Sequence, residues 1–298
     1  MPTLSDYQRN RLLLSLGAVA ACSLFWLAGR WFGIPRHPGF EMSLALQPTP
    51  VSDVLLTGVT LLVATAVATA IAGTVRFDGG LFCGAVGLAA LSARGGPMRY
   101  VTQAAEGPGV YLALAVELVM LGALLGLAWL GLWLLYRRGR LAGDALRDGL
   151  KDQRHTVGEG VFAMLTQAAV TAVLVLLLAR TDEKKQVLAA VGFASFFATL
   201  LAYTFTPVRP SVWFWAGPVL TGVVGYLFAY SAGGSADLVA WKTGAGAGTF
   251  APLARPLPLD YASLGTAGAI LGYWTSRQWQ RAKELEKEAA QAAGGAAG

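Results

Sequence analysis

Glu117 is the residue of this chain whose type and position best fit a chemical role. It lies in the otherwise uncharged stretch GVYLALAVELVMLGALLG, eight residues beyond Gly109. In a helix this spacing places it about 12 Å from the start of the stretch. An ionisable side chain at that depth in a membrane is costly and marks a functional candidate. Glu117 therefore predicts either a proton or cation site, or a neutral, hydrogen-bonded acid that ties two helices together.

Partners for Glu117 have to come from neighbouring apolar stretches, because a buried carboxyl group needs a hydrogen bond or an opposite charge. One sequence does not choose among the polar residues at a suitable depth. The candidates are Thr166, Gln167 and Tyr226, with Thr57, Thr60, Thr65 and Thr171 as further alternatives.

The chain does not assemble the reactive groups that a membrane enzyme requires. Its two histidines, His37 and His155, fall on opposite sides of the predicted membrane, so a histidine metal site or catalytic dyad is not expected. No apolar stretch holds two carboxylates near its centre, and no GxxxxGK[ST] phosphate-binding loop occurs. We therefore expect no enzymatic activity, no metal site and no cofactor.

Eight apolar stretches position Glu117 and fill most of the chain. Of the 298 residues, 55% are hydrophobic and 13% are charged, against roughly 25% charged residues in soluble domains. The stretches are continuous, unlike the alternating strands of a membrane β-barrel, and several reach the length of about 20 residues that a helix needs to cross a bilayer. The sequence predicts an all-α, polytopic transmembrane bundle in one domain, residues 1–276, with spans at about 11–33, 52–75, 79–93, 109–136, 159–179, 187–206, 211–232 and 261–276.

The distribution of Lys and Arg predicts the orientation, because short cytoplasmic loops retain positive charge. With eight spans and both termini cytoplasmic, the inner segments hold 14 of the 23 basic residues. The third span is short and glycine-rich, and it could instead be re-entrant. Seven spans with an outer N-terminus would place 13 basic residues inside, so eight spans are favoured. The basic residues of the inner loops and tail account for the positive net charge, and we expect no nucleic-acid partner.

Glycine spacing indicates closely packed helices. Three pairs of glycines are each four residues apart, which puts both members on one helix face and lets another helix approach. Such faces serve packing within the chain or an interface to a second chain. The pairs are Gly80 and Gly84, Gly122 and Gly126, and Gly268 and Gly272.

Two segments outside the spans have distinctive composition. The predicted outer loop from Gly233 to Asp260 is rich in Gly, Ala and Pro, which indicates a flexible loop without regular structure. Residues 277–298 have helix-forming composition as far as Ala293. We expect them to form a cytoplasmic helical tail that ends in a flexible Gly/Ala stretch.

Two functions of different classes remain open. Small-residue faces, short loops and the lack of a convincing site favour a non-catalytic, membrane-embedded subunit or scaffold that packs against other membrane proteins or a second copy of itself. The alternative is a small-solute or ion transporter that is proton-coupled through Glu117. In either case the chain contacts the lipid bilayer, and we expect it in the cell membrane, or the inner membrane if the source is bacterial. The sequence does not name a substrate.

The eight-span topology predicts where the C-terminus lies. A reporter fused after Gly298 should read cytoplasmic in a paired assay with one reporter that is active only inside the cell and another that is active only outside. An extracytoplasmic signal would contradict eight spans and favour the seven-span alternative.

Overall fold

The chain folds into a bundle of helices, seen in a computed structural model that describes residues 6–29, 43–44, 50–73, 75–138, 156–231, 239 and 251–295. All regular structure in these ranges is helical, which confirms the all-α prediction for them. The first helices are α1 (Asp6–Ala28), α2 (Pro50–Ala72), α3 (Gly79–Ser92), α4 (Met98–Ala104) and α5 (Gly109–Arg137). They are followed by α6 (Val157–Leu178), α7 (Lys184–Phe205), α8 (Val212–Ser231), α9 (Ala251–Ala254), α10 (Pro258–Asp260), a π-helical turn (Tyr261–Gly265) and α11 (Thr266–Gly295).

Six of the described helices are long and apolar enough to cross a membrane: α1, α2, α5, α6, α7 and α8. They indicate a membrane protein, and each overlaps a span predicted from the sequence. α3 has 14 residues and is therefore about 21 Å long, shorter than the hydrocarbon core of about 30 Å. The eighth predicted span begins in the π-helical turn and continues into α11. The third and eighth predicted spans thus do not belong to this set of six.

The helices pack in two groups that meet at α3. α1, α2 and α3 contact one another, while α8 packs against both α5 and α6, and α7 packs against α6 and α11. α3 also contacts α11 and the π-helical turn, and α2 contacts α5. Large apolar side chains such as Phe162, Phe193 and Phe205 are more than half exposed on the outside of the bundle. This arrangement is compatible with a lipid-facing exterior.

The two ends of the bundle can be told apart by which segments meet there. At one end, the start of α1, the connection between α2 and α3, the residues before α8 and residues 271–281 of α11 surround a common cavity. We call this the tail end. At the opposite end, Arg99 pairs with Asp182 at 3.6 Å, and the end of α3 meets the start of α7 through Asp260.

Glycines of two of the predicted pairs lie at helix contacts within the chain. A Cβ atom added at Gly80 or Gly84 would collide with the Thr69 or Thr65 side chain of α2. A Cβ at Gly268 or Gly272 would collide with backbone carbonyl oxygens of Gly192 and Phe196 on α7. These faces therefore hold α3 against α2 and α11 against α7.

The third pair is divided between two environments. A Cβ atom at Gly122 would lie 2.8 Å from a methyl carbon of Val219 on α8, whereas Gly126 has no such neighbour within 4 Å. Only the first of these two glycines is needed for a close approach of α5 and α8.

The prediction of a flexible loop from Gly233 to Asp260 is wrong for its last ten residues. Residues 251–260 form the short helices α9 and α10, and Leu253, Leu257 and Asp260 are buried. α9 contacts α6 and α8, and α10 contacts α3, α5 and α7. Apolar side chains and proline-directed turns place this segment inside the bundle rather than in solvent. The remainder of the loop lies outside the described residues, apart from Val239.

The two glycine environments predict different responses to alanine. Gly268→Ala forces a methyl group against the Gly192 carbonyl oxygen, and overpacking of this kind typically costs about 1–3 kcal/mol. Gly126→Ala adds a methyl group in open space and should keep or raise stability, because alanine favours a helix by about 1 kcal/mol over glycine. Thermal unfolding of the two purified variants in the same detergent measures the difference. Equal stability of the two variants would contradict this account of α11 and α7.

Candidate functional site

Glu117 lies inside the bundle on α5 with none of its surface exposed. Its Oε2 atom accepts a hydrogen bond from the Ser43 hydroxyl. Ser43 and Leu44 are both buried, although they belong to the connection between α1 and α2. Part of that connection therefore enters the bundle and meets the carboxyl group of Glu117.

Tyr226 of α8 lies between Glu117 and the segment that leads into α11. Its side chain is fully buried, and its hydroxyl donates to the Pro256 carbonyl oxygen. The phenol interacts electrostatically with Glu117, Asp260 and Tyr261. The Tyr226 and Tyr261 rings meet edge to face, with centroids 6.4 Å apart. Tyr226 is thus close to two carboxyl groups that are far apart in the sequence.

Asp260 is the most heavily bonded polar residue of this region. Its Oδ1 atom accepts from the Ser92 hydroxyl and from Lys184 Nζ at 2.5 Å, and its Oδ2 atom accepts from the Leu257 backbone N–H at 2.9 Å. The Asp260 side chain is 1% exposed and that of Lys184 is 11% exposed. The last residue of α3, the first residue of α7 and the end of α10 therefore converge on one carboxylate.

We call Glu117, Tyr226, Asp260 and Lys184 the carboxylate cluster. It combines an ion pair, a second buried acid and a phenol that interacts with both acids. Carboxyl and hydroxyl groups of this kind bind and pass protons or ligate small cations. Within the described residues, no group of three or more His, Cys, Asp and Glu side chains is arranged to hold a metal ion.

The predicted partners of Glu117 have different places in the structure. Tyr226 interacts with Glu117 electrostatically. Gln167 is buried on α6, donates to Thr171 Oγ1 at 3.1 Å and packs directly on Gly217 of α8. Thr166 is half-buried on the same helix. The polar face of α6 thus meets α8, which separates it from α5 at this contact.

Sequence reasoning missed Ser43, Ser92, Lys184 and Asp260. Each lies in or beside a predicted loop, where a polar residue needs no explanation. One local signal was available: the run Leu257-Pro258-Leu259-Asp260 has a proline at the first helical position and an acid two residues later, which is a helix start. The Leu257 N–H to Asp260 bond is the corresponding capping contact.

Comparison with known proteins gives no further information about this site. No protein family, no curated protein and no solved structure compared with the chain matches it. The functional interpretation therefore depends on the chain's own residues.

A second polar feature lies at the tail end of the bundle. A cavity of about 470 Å³ is lined by four arginines and one acid, together with aromatic residues. We call it the arginine cavity. Its charged lining residues are Arg11, Arg76, Asp78, Arg277 and Arg281.

Asp78 is the buried acid of the arginine cavity, at the start of α3 and 5% exposed. Burial raises the pKa of its carboxyl group to about 6, although Ser211, Arg277, Arg76 and Trp129 act in the opposite direction. The Ser211 hydroxyl and the Trp129 indole lie beside the carboxyl group and act as donors to it. At pH 7 the carboxyl group is therefore mainly ionised and offsets one of the arginines.

The ion pair in the carboxylate cluster predicts a large effect of removing its cation. Lys184→Met leaves the Asp260 carboxylate buried without its charge partner, and the loss of one member of a buried pair typically costs about 3–5 kcal/mol. The double variant Lys184→Met/Asp260→Asn should recover much of this loss, because asparagine is neutral. Thermal unfolding in detergent, followed by circular dichroism, measures both effects.

The neighbouring lysine provides the control for this measurement. Lys185 is exposed, so Lys185→Met should change stability by no more than about 0.5 kcal/mol. A Lys184→Met variant as stable as Lys185→Met would show that the pair does not hold α3, α7 and α10 together.

Proposed function

We propose that this chain is a proton-linked transporter of a small solute or ion, with the carboxylate cluster as its proton-binding site. The observation that carries the proposal is the π-helical turn in the last long helix, beside a buried acid. α10 and the π-helical turn precede α11 without a gap, and Asp260 lies where α10 meets the turn. Glu117 and Asp260 both lie within electrostatic reach of Tyr226.

Single π-helical turns inside α-helices occur preferentially at functional sites. Here the π-helical turn contacts α3, α5, α7 and α8, and the three residues before α10, 255–257, are not helical. Irregular backbone inside a membrane is tolerated mainly where it is buried in protein or lines a binding site. The π-helical turn therefore lies in the part of the bundle where Asp260 and Tyr226 are buried.

The two acids have different roles in this proposal. Asp260 forms a direct ion pair with Lys184, so Asp260 anchors the start of the last long helix to α7. Glu117 is fully buried and accepts a hydrogen bond from the Ser43 hydroxyl, and in this proposal it is the group that exchanges a proton. Tyr226 lies within electrostatic reach of both acids, and its hydroxyl donates to the Pro256 carbonyl oxygen of the segment before Asp260.

The subunit or scaffold function stays a prediction from the sequence, with less support than before. Its main argument was the presence of small-residue faces available to another chain. Glycines of the faces on α3 and α11 pack against α2 and α7 of the same chain. Their close packing therefore no longer calls for a second protein.

The topology that accompanies this function has eight crossings, with both termini in the cytoplasm of a cell membrane. Its support is that the start of α1 and residues 271–281 of α11 line the same cavity, as expected if both lie on one side of the membrane. The arginines of that cavity fit the cytoplasmic side, where short segments retain positive charge. α3 is short for a full crossing. Buried polar groups lie at both of its ends: Asp78 precedes its first residue, and Ser92, its last residue, bonds to Asp260.

Proton flux tests the proposal. Purified protein in liposomes is given an inward proton gradient, and a trapped pH-sensitive dye reports proton entry in the absence and presence of amino acids, sugars and metal cations. Wild-type protein should accelerate proton entry in at least one condition. Glu117→Gln should fold and insert normally but should lower the rate to that of protein-free vesicles, because an amide does not exchange the proton.

Glu159→Gln is the matched control. Glu159 is exposed and caps the start of α6, with its Oε2 accepting from the Thr156 N–H at 3.0 Å. Glutamine preserves this capping contact, so the rate should equal that of the wild type. Glu117→Gln with wild-type flux, or wild-type protein no faster than empty vesicles in every condition, would contradict the proposal.

A further inference from the structure

We propose that the arginine cavity binds a phosphate-bearing anion at the membrane surface. This site lies at the opposite end of the bundle from the lysine of the carboxylate cluster, and its argument is independent of proton transport. It stands on the charge, the hydrogen-bonding groups and the size of the cavity.

The charge of the cavity is unbalanced. Among the described residues that line it, there are four arginines and a single carboxylate. Burial lowers the pKa of Arg76, and repulsion from Arg277 and Arg281 lowers it further. The Asp78 carboxylate raises this pKa. Three guanidinium groups are therefore held within electrostatic reach of one another. An anion between them would relieve this repulsion, and phosphate oxygens match the planar donor geometry of arginine.

Hydrogen-bonding groups are available to such an anion. Among the described residues, Nη2 of Arg277 is buried without a hydrogen-bond partner, and Arg277 lines the cavity. A buried donor without a partner is unfavourable, so this guanidinium group gains from an oxygen ligand. The Ser211 hydroxyl lies beside Asp78, whose charge opposes the anion. The arginines outnumber this single opposing charge.

Aromatic rings hold the guanidinium groups in place before any ligand arrives. The Arg76 guanidinium lies 5.0 Å from the centre of the Trp274 ring, and that of Arg277 lies 5.7 Å from the Tyr273 ring. Cation–π contacts of this kind restrict the side chains without occupying their in-plane donors. The donors therefore remain available to oxygen atoms.

The size of the cavity fits more than a bare phosphate ion. Its volume of about 470 Å³ lies within the usual range of small-molecule sites. Phe82 and Leu271 contribute apolar lining, and Leu271 is 43% exposed on the outside of α11. The expected ligand is thus a phosphate ester with a small polar or apolar extension. Either a lipid headgroup or a soluble small molecule can supply this group.

Ligand-induced stabilisation tests the site and separates the two sources. Full-length protein in a neutral detergent is titrated with dihexanoyl phosphatidylglycerol or with glycerol 1-phosphate, and with NaCl of equal ionic strength as reference. Tryptophan fluorescence reports the unfolding temperature. Binding to the folded protein should raise this temperature with ligand concentration, and the NaCl series should not reproduce the rise.

Three arginine variants locate the effect. Arg277→Gln should weaken the apparent affinity about ten-fold or more, as expected for a lost hydrogen bond to a charged group. Arg281→Gln changes an exposed side chain, so it should fold even if Arg277→Gln does not, and it should also weaken binding. Arg94→Gln is the matched control, because Arg94 is held over Trp26 at 4.8 Å at the opposite end of the bundle.

The outcomes are distinct. A response to phosphatidylglycerol alone that both cavity variants weaken and Arg94→Gln retains supports the site with a lipid headgroup as its ligand. A response to glycerol 1-phosphate as large as that to phosphatidylglycerol supports the site with a soluble phosphate ester as its ligand. No response to either probe, or an equal loss in Arg94→Gln and the cavity variants, would overturn the proposal.

Discussion

The buried ion pair between Lys184 and Asp260 is the interaction on which the arrangement of the bundle depends. Charged groups removed from water have to be paired and hydrogen-bonded, and inside a membrane protein no solvent supplies the missing bonds. Asp260 satisfies this requirement with Lys184, Ser92 and the Leu257 N–H. Because these groups belong to separate elements, the same bonds that neutralise one carboxylate also fix the relative positions of α3, α7 and α10.

That constraint places the start of the last long helix inside the bundle. α10 is held between α3, α5 and α7, and it continues through the π-helical turn from Tyr261 to Gly265 into α11 without a gap. Tyr261 uses its hydroxyl to bond the Leu253 carbonyl at 2.8 Å, so the turn also supports the segment that precedes α10. Tyr226 is buried against this segment, since its hydroxyl donates to the Pro256 carbonyl oxygen.

Close helix contacts at glycines and the polar arginine cavity occupy different parts of the molecule. Along the contacts of α2 with α3 and of α7 with α11, small residues let the backbones approach closely and leave no space for a ligand. At the tail end the connections diverge, and the arginine cavity opens between them. Space for a ligand therefore lies beyond the ends of these helix contacts, because the contacts themselves are filled by backbone and small side chains.

The sequence singles out a candidate residue only where that residue conflicts with its local environment. Glu117 was recognised because a carboxylate in an apolar stretch of this length has no local explanation. Lys184 and Asp260 were missed because each is ordinary in its own sequence context, next to charged or proline-rich neighbours. Their importance comes from the pairing of residues 76 positions apart, and one sequence contains no measure of that proximity.

Hydrophobic length and continuity by themselves indicated that the chain is all-α where it is described and that it has helices long and apolar enough to span a membrane, since these properties depend only on consecutive residues. The tertiary structure alone decided that residues 251–260 are buried, that glycines of α3 and α11 serve contacts within the chain, and that four arginines line one cavity. The physical reason is that burial, close approach and charge balance are properties of groups distant in sequence, and they exist only once the helices have packed.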